Sequence, residues 1–216
     1  ALLHRAPLAP SSRICYTKDS IPSKTPATKE GDKMPRFAVI DTETTWRDRV
    51  MSLGAVIADS ATLQPVETKY YILDPEFREG GMYSSALILR REDKNAFSAR
   101  EEAMDDLLSC LRAHGAKQVF AYNARFDRAH LPELASFGWY DIMALAAYRT
   151  YNPHIPRDAP LYSTGRLRRG YGVEPILRLL SGNSAYRETH NALQDALDEL
   201  TIMELLGHPP AAYRPL

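Results

Sequence analysis

Two cysteines in 216 residues are too few for a disulfide framework. Cys15 and Cys110 also stand too far apart for a zinc knuckle, so both are expected as free thiols in a reducing compartment. No run approaches the roughly 18 consecutive apolar residues of a bilayer-spanning helix. That excludes a helical membrane protein and points to a soluble chain, expected in the cytoplasm with no membrane partner. Net charge is missing too: 27 Lys and Arg offset 27 Asp and Glu. On its face that balance argues against nucleic acid, whose partners usually carry a basic excess. What the chain does have is 44% hydrophobic residues, enough for one globular core plus a tail.

Pro7, Pro10, Pro22 and Pro26 stand among Ser, Thr and Lys in the first 33 residues, without apolar periodicity. Such a stretch does not repay its ordering entropy. Residues 1–33 are therefore expected as a disordered or loosely ordered tail, 34–208 as the domain and 209–216 as a short C-terminal tail. Arg5, Arg13 and Lys18, with no acid before Asp19, give the start a faint likeness to an organellar transit peptide, but the apolar core of a secretory signal is absent.

From Pro35 strands and helices alternate. Arg36–Ile40, Met51–Ala58 and Thr68–Leu73 read as three strands of a meander, and Gln118–Tyr122 as a fourth. A capping box, Ser98 with Glu101, opens a helix that Gly115 closes. Helical spacing also covers about Phe126–Phe137, Asp141–Tyr151, Val173–Leu180 and Asn191–Leu206. The order implies an α/β fold, a mixed sheet with helices on both faces.

Three groups of polar residues stand at element edges. Asp41 and Glu43 follow the first strand at i, i+2, which puts both carboxylates on one face, where they repel unless a cation neutralises them. Oxygen donors without Cys or a His pair select Mg²⁺ or Mn²⁺ over zinc. Asp127 follows the fourth strand in Tyr122-Asn-Ala-Arg-Phe-Asp127, at the sheet edge where open α/β folds place their sites. His190 and Asp195 flank the apolar stripe of the last helix. Taken singly, these read better as a turn residue, a first-turn acid and a surface histidine.

Together, Asp41/Glu43, Asn123/Phe126/Asp127 and His190/Asp195 resemble the three motifs of the DEDDh-type 3′→5′ exonucleases, the DnaQ-like family of the RNase H-like superfamily. The resemblance covers about Arg36–Leu206. It implies an RNase H-like mixed five-stranded sheet flanked by helices on both faces, and a phosphodiesterase using two Mg²⁺ or Mn²⁺ ions. Asp41 would bridge both ions, Glu43 and Asp195 would complete one site, and Asp127 would hold the second. His190 would be the general base, and the product 5′-mononucleotides from the 3′ end of single-stranded DNA or RNA. The resemblance further implies that Thr42 and Asn123 contact the terminal nucleotide and that Leu53 packs on its base. Trp46 replaces the family's usual glycine and either stacks a base or caps its loop. Arg47 and Arg49 stand beside it, and Gly80–Asn95 lacks the His-Gly-Ile-like element of proofreading relatives. A homodimer stays open, since small members of the family often pair, and a polymerase-binding tail is not expected.

The charge balance then reads differently. Ala144–Arg187 carries seven Arg (149, 157, 166, 168, 169, 178 and 187), no Lys and two acids, whereas Glu188–Leu206 carries five acids and no base. Arginines interleaved with Tyr148, Tyr151, Tyr162 and Tyr171 suit phosphate contacts and base stacking, or form an ordinary solvated face. The second reading of the whole chain is a non-catalytic nucleic-acid-binding or interaction module on the same fold.

Overall fold

The structure, a computed structural model, describes residues 35–216; the expected 1–33 tail and Cys15 lie outside the described residues. Six strands, β1 (Arg36–Thr44), β2 (Val50–Asp59), β3 (Pro65–Leu73), β4 (Phe97–Ser98), β5 (Gln118–Ala121) and β6 (Gly138–Asp141), form one mixed sheet in the order β4-β3-β2-β1-β5-β6. β1, β2 and β3 pair antiparallel, while β3–β4, β1–β5 and β5–β6 are parallel. Helices α1 (Arg100–His114), α2 (Arg125–His130), α3 (Met143–Ala146), α4 (Val173–Ser181) and α5 (Ala192–Leu206) accompany it.

The sequence implies five strands and a continuous helix over Phe126–Phe137; the structure has six strands and a break there. Pro132 has no amide proton to continue a helix, and Leu131 before it leaves the helical region at φ −124° and ψ 64°. α2 therefore stops after six residues, and Trp139 and Tyr140 enter β6 beside β5. The expected capping box also fails. Ser98 is drawn into β4 opposite Leu73, its hydroxyl donates to the Ala99 carbonyl at 2.9 Å, and α1 starts behind Ala99 with no side-chain cap. Gly115 closes α1 in the left-handed region, as expected.

Alternation along β1 divides the core. Phe37 and Val39 join Val56, Phe120, Ile176, Leu193, Leu200 and Met203 on the face covered by α4 and α5. Ala38 and Ile40 join Leu53, Leu107, Leu111, Leu131 and Trp139 on the other. Residues 209–216, expected as a tail, pack on the sheet: Tyr213 is buried with its ring edge-on to Phe120, and the Leu216 amide donates to the Trp139 carbonyl at 2.9 Å. Cys110 is free and buried, and no helix among the described residues is long and apolar enough to cross a membrane.

Candidate active site

β1 runs through Thr44, so Asp41 and Glu43 lie inside the strand rather than after it, opposite Gly54 and Ser52 of β2. Following Phe37 and Val39 in the alternation, both acids face α5. Gly54 admits that helix: a Cβ there would lie 2.2 Å from the Ala192 backbone carbon. Asn191 fixes the helix start. Its carbonyl oxygen accepts the Gln194 amide at 3.2 Å, and its amide nitrogen donates to the Tyr70 hydroxyl at 3.0 Å and the Ala86 carbonyl at 2.8 Å. Asp195, one turn on, thereby comes to Glu43 and His190; one ligand atom from each of the three lies within 4.8 Å of the others.

Asp127 comes from α2, across the β1–β5 pairing. Its Oδ1 accepts both the Thr42 amide at 3.1 Å and the Thr42 hydroxyl at 2.7 Å. Thr42 thus anchors an acid of the site with both of its donors. Asn123 takes the left-handed conformation at φ 62°, its amide donating to Asp141 Oδ1 at 3.0 Å. That carboxylate also accepts the Met143 amide that opens α3. Asn123 itself remains exposed.

Burial governs the electrostatics. Desolvation, then Asp127, Asp195 and Glu43, holds the Asp41 carboxyl well above the usual carboxylate range. Burial first and Asp195 second push Glu43 up to about 8. Asp195 is pushed up to about 8 by burial, Glu188 and Asp198, against the His190 amide and the Thr189 hydroxyl. Asp127 is raised to about 7 by burial, opposed by its Thr42 bonds. Asp41 Oδ2 and Asp195 Oδ1 are buried with no hydrogen-bond partner. Converging acids with unpartnered oxygens fit a hard divalent cation.

His190 precedes α5 with φ 56°, a left-handed backbone that a side-chain-bearing residue seldom adopts. Its Nδ1 is 3.9 Å from Glu43 Oε1, its ring stacks on Tyr83, and burial depresses its pKa, which favours the neutral imidazole.

Leu53 is a correction. It belongs to the opposite face of the sheet, 0% exposed against α1, because it alternates with Gly54 on β2. It does not reach a base beside Asp41. Trp46 is 69% exposed in the β1–β2 turn, its amide donating to the Gly80 carbonyl at 3.0 Å. Arg49 is paired with Glu79 and Glu76, while Arg47, 80% exposed, makes a longer 3.8 Å ion pair with the same Glu79. Of the arginine run, Arg178 pairs with Glu174 and Arg149 holds the Pro156 carbonyl at 2.6 Å. Arg166 lies over the Tyr171 ring at 4.4 Å and Arg168 over Tyr162 at 5.4 Å. The loop that bears them docks at the site's edge, where the Tyr122 hydroxyl donates to the Tyr171 carbonyl.

No protein-family model and no curated protein matches the sequence. Solved structures do match. The nuclease domain of 3′hExo, a DEDDh family member bound to rAMP, superposes with TM-score 0.59 at 13% identity, covering 85% of this chain and 96% of that one. A 3′-exonuclease structure showing 3′-end specific recognition of histone mRNA stem-loop gives TM-score 0.58 at 12% identity, covering 84% and 85%. Exonuclease I of E. coli in complex with an oligonucleotide gives 0.55 at 15% identity, covering 80% of this chain and 40% of that one. The chain has the RNase H-like fold of the DEDDh exonucleases.

Proposed function

We propose that the protein is a metal-dependent DEDDh 3′→5′ exonuclease that hydrolyses single-stranded DNA or RNA from its 3′ end and releases 5′-mononucleotides. The convergence of Asp41, Glu43, Asp127 and Asp195 from β1, α2 and α5, with Asp41 Oδ2 and Asp195 Oδ1 buried and unpartnered, carries the reading. Asp41 and Glu43 on β1, with Asp195 on α5 opposite them, would hold one cation, with Asp41 shared and Asp127 serving a second. Two divalent cations, Mg²⁺ or Mn²⁺, would supply charge neutralisation at the attacked phosphate and acidify the water.

The chain's own residues do the rest. Thr42 holds Asp127 in place through its amide and hydroxyl. His190, neutral near pH 7 because burial lowers its pKa, takes the proton from the attacking water at a ring nitrogen. Tyr83 keeps the imidazole plane fixed while it does so. Asn123, exposed at the sheet edge with its backbone set by Asp141, is the group that meets the terminal sugar. Trp46 offers an exposed indole for a neighbouring base.

Incubating a 5′-labelled single-stranded oligonucleotide with Mg²⁺ or Mn²⁺ should give a descending ladder that disappears with chelator and in Asp41→Ala. Full-length oligonucleotide under every condition would overturn the exonuclease reading. Matched DNA and RNA strands in the same assay set the sugar preference.

A further inference from the structure

Glu199 is a fifth acid in this region that the four-carboxylate reading leaves without a task. It lies one helical turn beyond Asp195 on the same side of α5, in line with the buried Ala192, Ala196 and Met203. A leucine-like residue would suit that stripe; instead a carboxyl group sits there, 1% exposed. The Tyr122 amide, just past the end of β5, is directed at it. Its Oε2 has no hydrogen-bond partner, in common with Asp41 Oδ2 and Asp195 Oδ1.

We propose that Glu199 is a fifth carboxylate of the cation site, acting from behind Asp41 and Asp195 so that five acids set cation affinity. The inference rests on the exonuclease reading of those two residues. Burial, then Asp41 and Asp127, holds the Glu199 carboxyl well above the ordinary glutamate range, so these groups feel one another's charge. The largest charges acting on it are all acids. A buried acid without a cationic partner is costly, and it is sustained where a cation completes the group. The Tyr122 amide alone would be satisfied equally well by a glutamine oxygen, which carries no charge.

That difference supplies the test. Glu199→Gln keeps the volume and the acceptor for Tyr122 but deletes the charge. Mn²⁺ titration calorimetry on the full chain is the readout. Mn²⁺ suits it because the other ligand cluster among the described residues, Glu67, Cys110 and His114, includes a thiol better matched to softer ions. Glu199→Gln should weaken Mn²⁺ binding about 10-fold, and Asp41→Asn should remove it at this site. Glu199→Leu, which fills the space without a polar group, carries the same expectation for Mn²⁺ and should melt several degrees higher than the wild type in chelator. If both Glu199 variants bind Mn²⁺ as the wild type does while Asp41→Asn does not, Glu199 merely satisfies Tyr122 and the proposal is overturned. If Asp41→Asn also binds normally, the cation site itself is misassigned and the proposal goes with it.

Discussion

The Tyr83 ring lies flat against the His190 imidazole, centroids 3.8 Å apart and planes 14° from parallel. The stack fixes the ring plane while leaving both ring nitrogens for other work. Tyr83 comes from the segment between β3 and β4, which is held to the site by the Trp46 amide at the Gly80 carbonyl. His190→Ala should lower turnover by about 10²–10⁴-fold with little change in Mn²⁺ affinity. Tyr83→Phe keeps the stack and should stay near wild-type rate, whereas Tyr83→Ala should lose about 10- to 100-fold in kcat through a misplaced base. Equal rates for Phe and Ala would show that the stack positions nothing.

The raised carboxyl pKa values set a pH dependence for the metal-free protein. Glu43 and Asp195 titrate at about 8 and Asp127 at about 7 when folded, against about 4 in an unfolded chain. Between these limits the folded state holds protons that the unfolded state has released, so stability falls as pH rises. Melting temperature in chelator should therefore decline from about pH 5 to about pH 8. Saturating Mg²⁺ should flatten the curve, since the cation replaces the protons, and so should Asp195→Asn. A metal-free profile rising over that range would contradict the burial of these acids.

Gly54→Ala places a methyl group 2.2 Å from the Ala192 backbone, where no flexible side chain can yield. The expected cost is about 3 kcal/mol, the upper end for overpacking, read as a lower melting temperature. Because α5 carries Asp195, nuclease activity should fall by more than the unfolded fraction explains. A fully active, equally stable variant would mean that the helix start can shift without consequence.

Arg168 and Arg169 are exposed, although Arg168 Nε donates to the Leu161 carbonyl at 2.8 Å, and Arg149 and Arg178 are engaged within the protein. If the exposed pair meets phosphates, the double alanine variant should reduce the slope of log affinity against log salt by about 1.4 for a single-stranded ligand, roughly 0.7 per contact. An unchanged slope, measured by fluorescence anisotropy at several salt concentrations, would remove this loop from the binding track.

What the sequence revealed depended on the range of the interaction. The i, i+2 spacing of Asp41 and Glu43 is local and survives as a shared face, as does the placement of α5 with its Asn191 start and Gly207 stop. β6 was hidden because it is four residues long, Gly138–Asp141, and sits between two stretches of helical spacing. Leu53 misled because a strand buried on both faces has no alternation to tell one side from the other: Val50 through Ala58 are all buried. The Tyr83 stack and the Thr42 bonds to Asp127 join residues far apart in the chain, and nothing in a single sequence marks them. An acid at an apolar-stripe position of α5 was the one visible sign of Glu199.

The doubly covered β1–β2 hairpin also has a dynamic consequence. Its amides lie in the centre of the sheet and should be the slowest to exchange with solvent, opening only when the whole domain unfolds. Asp41 and Glu43 ride on that slow unit. His190 rides on the connection before α5, where Arg187 and Thr189 are exposed and local opening needs far less free energy. Under the proposed roles, opening of that connection would free His190 while Asp41 and Glu43 stay in place, leaving a protein that would still bind cations without turnover.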